Sequence, residues 1–159
     1  MVLSNDGERP DVSISLNPKE MQQAYEIRAA LEEVAGRAAA SLLKGNTAAL
    51  RRQLDAMRTA FDRRDLDSFV EHDIAFHRNI LQASQNEVLL RVWDSLAVDL
   101  RMQTVIGRIS GDFPELVESH LPIVDALEKG LGREAGLLVA ESRRDSRGVS
   151  KEIGIGVRI

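Results

Sequence analysis

Apolar residues recur at helical intervals through most of the chain. Met21, Ala24, Ile27, Leu31, Val34, Ala35, Ala38 and Leu42 follow one another at the steps of a helix face, and no proline interrupts them. Asn17-Pro18-Lys19-Glu20 opens the run: Asn17 can cap, Pro18 suits the first helical position and Glu20 completes a box-like pattern. Gly45-Asn46 supplies the stop. The pattern then repeats. A second helix is predicted over about 47–63, with Leu50, Leu54, Met57 and Phe61 on one face, and a third over about 66–83 behind Asp65 as cap. A fourth follows Asn86, another capping residue, to about 109. Ser110-Gly111-Asp112-Phe113-Pro114 is a break and restart, and a fifth helix reaches about 128. Lys129-Gly130-Leu131-Gly132 turns the chain into a sixth, from about 133 to at least Ser142.

Residues 1–16 mix Asn5, Asp6, Gly7 and Pro10 with serines and hold no period, so they read as a linker or disordered lead-in. Residues 17–147 are expected to form one bundle. In the tail, 148–159, Ile153, Ile155, Val157 and Ile159 alternate with other residues, glycines among them, and the pattern leaves a short extended segment and disorder both open. No strand signal competes elsewhere, and no internal repeat marks a solenoid. The expected fold is all-α, an antiparallel bundle of about six helices with short connections.

Composition narrows the chemistry. The 159 residues fit one domain and contain no cysteine, which removes disulfides, thiolate zinc sites and thiol nucleophiles. Any metal must be held by histidines and carboxylates. The formal net charge of -4 argues against nucleic-acid binding by this chain alone, because phosphate neutralisation needs a Lys/Arg surplus. No apolar run approaches the roughly 20 residues of a membrane span, and the polar N-terminus lacks a signal-peptide apolar core. The expected location is the cytoplasm, with no membrane partner.

The informative residues are polar ones on apolar stripes. In the third helix the stripe is Leu66, Phe69, Val70, Phe76 and Ile80, and Asp73 and His77 fall on it four residues apart, which stacks their side chains on one face. A carboxylate oxygen and an imidazole nitrogen so placed can ligate one ion. In the fifth helix His120 lies among Val117, Leu121, Val124 and Leu127; in the first, Arg28 falls between Ala24, Leu31 and Ala35. Together the four suggest a hydrophilic cavity whose charges need partners or a ligand. The plainer readings stand beside this. An Asp–His pair at this spacing is more often a surface ion pair, a lone histidine on an apolar face more often a hydrogen-bonded core residue, and Arg28 by itself reads as an exposed charge beside the stripe. His72 points roughly 100° away from Asp73 and reads as surface. The pairs Arg51-Arg52, Arg63-Arg64 and Arg143-Arg144 read as solvated, and Trp93, spaced with Leu89 and Leu96, as core.

Several catalytic signatures are missing: His-Glu-x-x-His, a glycine-rich phosphate loop, Gly-x-Ser-x-Gly, and the Glu-x-x-His of di-iron bundles. The chain therefore reads as a non-enzyme. A small three-ligand metalloenzyme, and a helical bundle that only binds partners, are the competing readings.

Tyr25-Glu26-Ile27-Arg28-Ala29-Ala30-Leu31-Glu32, then Ala35 and Ala38-Ala39-Ala40, resembles the opening of the FadR-type C-terminal domain (FCD), the effector-binding domain of many GntR-family bacterial transcription regulators. Asp73-Ile74-Ala75-Phe76-His77 followed by Ala83-Ser84-Gln85-Asn86 resembles its central signature, and Ser119-His120 with Ile123 and Ala126-Leu127 a later one. The resemblance covers about 17–142. It implies a six- or seven-helix antiparallel bundle that senses a small metabolite, six matching the shorter, VanR-like version. It also implies a divalent metal (Zn, Ni or Mn) held by Asp73, His77 and His120, and a small organic acid or sugar acid bound nearby. Arg28, Arg101 and Ser142 are then the effector-binding candidates. Ser142 stands where the family has its last histidine and is a poor ligand, so the site is three-ligand, weak or unused. Gly130-Leu131 replaces the usual Gly-Asp turn. The family further implies a homodimer and a fused winged helix-turn-helix domain that contacts DNA. No such domain lies in these residues, which reads as a fragment, an expressed domain or a stand-alone sensor. The chain alone is expected to give no specific shift of operator DNA in a gel, and a specific shift would overturn that reading.

Overall fold

The computed structural model describes residues 18–96 and 117–152, with side chains for 19–20, 22–96 and 117–142. Among these the chain forms six helices: α1 (Pro18–Leu43), α2 (Ala48–Asp62), α3 (Leu66–Ala83), α4 (Glu87–Ser95), α5 (Leu121–Glu128) and α6 (Gly132–Glu152). No strand occurs among the described residues, and no helix there is long and apolar enough to cross a membrane. The all-α bundle expected from the periodicity is the one observed.

The helix ends follow local chemistry. Asp65 caps α3, accepting from the Ser68 backbone N–H at 3.1 Å and its hydroxyl at 2.7 Å. The Ser68 backbone N–H, and then its hydroxyl, hold the Asp65 carboxyl below the usual carboxylate range, so this cap is present at neutral pH and is lost as pH falls through that lowered value. Asn86 caps α4 by accepting from Leu89 N–H at 3.0 Å. α5 closes in a Schellman turn: Gly130, at φ +73°, donates to Leu127 O at 3.0 Å while Leu131 donates to Ala126 O at 2.9 Å.

Three boundaries differ from expectation. α4 ends at Ser95, where Leu96 N–H turns back to Trp93 O at 3.3 Å, rather than running on to 109. The apolar run through Leu96 carries no glycine or proline to announce this end; 97–116, and the break expected at 110–114, lie outside the described residues. His120 sits at the N-cap of α5 rather than within a longer helix, because Pro122 has no N–H for the Glu118 carbonyl and its ring would clash there. α6 continues to Glu152, past the expected bundle boundary at 147, so 148–152 of the tail are helical; 1–17 and 153–159 lie outside the described residues.

One core joins the helices. Leu50, Leu54 and Met57 of α2, Phe76 and Ile80 of α3, Trp93 of α4, Ile123 and Leu127 of α5 and Val139 of α6 are all buried in a single cluster. Leu66, expected in the α3 stripe, is 39% exposed in the first turn. The larger correction concerns α1. Ile27, Val34 and Leu42 are about half exposed, and the buried face is instead Ala24, Tyr25, Arg28, Ala29, Glu32, Ala35, Gly36, Ala39 and Ala40.

Backbone proximity explains the rotation. α1 and α6 meet so closely that a Cβ built on Gly36 would lie 3.0 Å from the Gly136 Cα, and one on Gly136 would lie 2.5 Å from the Glu33 carbonyl oxygen. Only small residues fit that seam, so the large aliphatics of α1 turn away from it. Gly136→Ala is expected to lower stability by about 1–3 kcal/mol through overpacking, although the same change in an uncrowded helix stabilises by up to about 1 kcal/mol. Urea unfolding of the variant gives the sign, and an unchanged or raised midpoint would contradict the close approach.

Candidate metal centre

α3 places Asp73 and His77 one turn apart on its inner face, and the N-cap of α5 brings His120 in from across the bundle. All three are buried, at 5%, 1% and 5% exposure. Asp73 Oδ1 lies 3.0 Å from His120 Nε2 and 3.8 Å from His77 Nε2, and the two Nε2 atoms are 3.3 Å apart. Phe76, fully buried between them on α3, meets both imidazoles edge-on, with ring centroids 5.3 Å from His77 and 4.9 Å from His120. Its ring restricts how far either imidazole can swing.

The donor set suits a divalent ion. A triangle with those three edges has its centre about 2 Å from each corner, the bond length of zinc to nitrogen or oxygen ligands, roughly 2.0–2.2 Å. Two imidazoles and a carboxylate are ligands common to zinc, nickel and manganese sites. These three are the group of His and acidic side chains among the described residues placed to hold an ion.

A second set of polar side chains stands behind His77. Glu32 of α1, 1% exposed, puts Oε2 2.7 Å from His77 Nδ1. Its Oε1 accepts the Trp93 indole N–H at 2.7 Å and lies 3.5 Å from Arg28 Nε. The Arg28 guanidinium, also 1% exposed, stacks over the Trp93 ring with Cζ 4.0 Å from the centroid. Among the described residues, the carboxylates of Glu32 and Asp73 and the guanidinium of Arg28 are all buried.

Asp73, His77 and His120 therefore come together, and Arg28 is inside rather than beside the stripe. Ser142 is half-buried on α6, its hydroxyl donating to the Val139 carbonyl of its own helix at 2.8 Å. Arg101 and the Arg143-Arg144 side chains lie outside the described residues. His72 is half-buried rather than at the surface, with Nδ1 2.9 Å from Gln53 Oε1. The exposed Arg51, Arg52, Arg63 and Arg64 match their solvated reading.

Glu32 was not singled out by sequence reasoning, and Trp93 was read as core alone. The signal for Glu32 was present: it follows Arg28 by four residues, so turning Arg28 inward turns Glu32 inward too. Nothing in the sequence pairs either with Trp93, 61 residues further on from Glu32.

Comparison with known proteins finds a family match over most of the chain. The family model described as the FCD domain matches residues 23–143. The chain is 37% identical over 117 residues to the probable D-xylose utilization operon transcriptional repressor of Paenarthrobacter nicotinovorans, a match that covers 72% of this chain and 51% of the relative. The chain thus spans about half the length of that repressor.

Trp93→Phe keeps an aromatic side chain but removes the fused pyrrole ring and with it the donor to Glu32. It is expected to cost at least about 1–3 kcal/mol, the penalty of leaving a buried acceptor short of its partner, with lost packing added to it. Chemical denaturation followed by circular dichroism measures it, and a loss below a few tenths of a kcal/mol would show that neither the indole N–H nor its ring volume matters to stability.

Proposed function

The chain belongs to the FCD domain family, and from that premise we propose that it is the effector-sensing domain of a GntR-type transcription regulator. In this reading a divalent ion is held by Asp73, His77 and His120, and a small carboxylate-bearing metabolite, an organic acid or sugar acid, binds beside it. The observation that carries the reading is the buried triangle of Asp73 Oδ1, His77 Nε2 and His120 Nε2, whose edges suit a single ion.

A divalent ion held by Asp73, His77 and His120 would supply a Lewis-acid seat for an effector oxygen. Arg28 supplies the directional contact, since a guanidinium can grip a carboxylate with two parallel hydrogen bonds. Trp93 and Glu32 hold that guanidinium in place. Phe76 keeps water from one side of the imidazoles.

The site also couples the bundle together. Arg28 and Glu32 come from α1, Asp73 and His77 from α3, Trp93 from α4 and His120 from the start of α5. A ligand that draws these groups together favours one arrangement of four helices over another, which is the requirement for coupling to a second site. In the whole regulator that second site is a winged helix-turn-helix domain on DNA, with the protein acting as a homodimer. The similar repressor is named for D-xylose utilization, so D-xylose and its sugar acids belong in the ligand panel beside simple organic acids.

Trp93, the single tryptophan of the chain, lies inside the site and reports on it. Titration of metal-stripped protein with zinc, nickel or manganese is expected to change its emission with one ion bound per chain. His77→Ala and His120→Ala are each expected to weaken that binding at least about tenfold, as loss of one of few ligands should. Members of the acid panel should then raise the melting temperature of the metal-loaded protein, and Arg28→Lys should blunt the response. If no divalent ion binds and no acid shifts the melt, the metal-centred reading fails.

A further inference from the structure

We propose that Glu32 is the positioning residue of the metal centre: it keeps the His77 proton on Nδ1 and so presents Nε2 unprotonated to Asp73 and His120. The inference rests on the metal reading above and adds to it a residue that touches no ion.

The argument begins with the contact between Glu32 Oε2 and His77 Nδ1, 2.7 Å apart with both side chains 1% exposed. A neutral imidazole carries one proton on one of its two nitrogens. Were that proton on Nε2, the Nδ1 lone pair would face a carboxylate oxygen at close range in a buried setting, where such repulsion is little screened. With the proton on Nδ1, the contact is electrostatically attractive at this short distance, although its angle is not that of an aligned hydrogen bond. Nε2 then carries the lone pair, and Nε2 is the atom 3.8 Å from Asp73 Oδ1 and 3.3 Å from His120 Nε2. A carboxylate behind a ligating histidine is a general means of choosing the tautomer and aiming the ring.

The carboxylate is itself oriented. Oε1 takes the Trp93 indole N–H at 2.7 Å and faces Arg28 Nε at 3.5 Å, which leaves Oε2 turned toward His77. Behind His120, the Ser119 hydroxyl lies at 3.5 Å from Nδ1. Behind His77, the group at Nδ1 is the Glu32 carboxylate.

Glu32→Gln discriminates this role from a merely structural one. Trp93 N–H and Arg28 both require an acceptor, so the glutamine oxygen takes the inner position and its NH₂ faces His77 Nδ1. Two donors cannot share that contact, and the His77 proton is expected to move to Nε2, where it blocks ligation. Nitrogen-15 NMR of the histidine rings in metal-stripped protein reads the tautomer directly. The Nδ1–H form is expected for His77 in the unaltered chain and the Nε2–H form in Glu32→Gln. Competition for zinc against a chromophoric chelator should show affinity reduced about 10- to 100-fold in the variant, with circular dichroism confirming a folded bundle. An Nε2–H tautomer in the unaltered chain overturns the inference without need of the variant. Zinc affinity within about threefold of the unaltered chain in a folded Glu32→Gln overturns it while leaving the metal reading intact. Failure of the unaltered chain to bind zinc, nickel or manganese removes the metal reading and this inference with it.

Discussion

A carboxylate with 1% of its surface exposed must be compensated, because an unmet buried charge costs several kcal/mol. Glu32 is met from three directions: the Trp93 indole, the Arg28 guanidinium and the His77 imidazole. Those groups belong to α4, α1 and α3, so one side chain ties three helices at a single point. The compensation is mutual. Arg28 could not be buried without an anion beside it, and its seat over the Trp93 ring replaces lost hydration with a cation–π contact.

The rest of the bundle makes room for this cluster. Along α1 the inner face changes character from one end to the other. Near the start it carries Tyr25, Arg28 and Glu32; further on it is Ala35, Gly36, Ala39 and Ala40. The small residues let α6 approach to near backbone contact around Gly136, which pins the far half of α1. With that half pinned, the rotation of the helix is set, and Arg28 and Glu32 have no route to solvent. The triangle of Asp73, His77 and His120 on α3 and α5 then faces a wall whose charges are already arranged.

Much of this was legible in the residues. The start and end of α1 and the starts of α3 and α4 follow from periodicity, from Pro18 and Gly45, and from the caps at Asp65 and Asn86. Asp73 and His77 share a helix face by spacing alone, and their convergence with His120 was expected from the interrupted stripes. The misplaced face of α1 shows where such reading stops. Ile27, Val34 and Leu42 carry more apolar surface than Ala35, Gly36 and Ala39, so a hydrophobic pattern favours them. The inner face was decided by how close another backbone comes, which no count of apolar residues reports.

What the sequence determined by itself was local: helices of these lengths, punctuated by these caps and turns, with a carboxylate and an imidazole one turn apart. Such features depend on residues within a few positions of each other. The tertiary structure alone decided that α1 turns Arg28 and Glu32 inward, that His120 begins a helix opposite His77, and that Trp93 reaches Glu32 from 61 residues away. The physical reason is that burial is a property of the assembled bundle. A charged side chain becomes part of a site only when packing removes its water and supplies partners in its place.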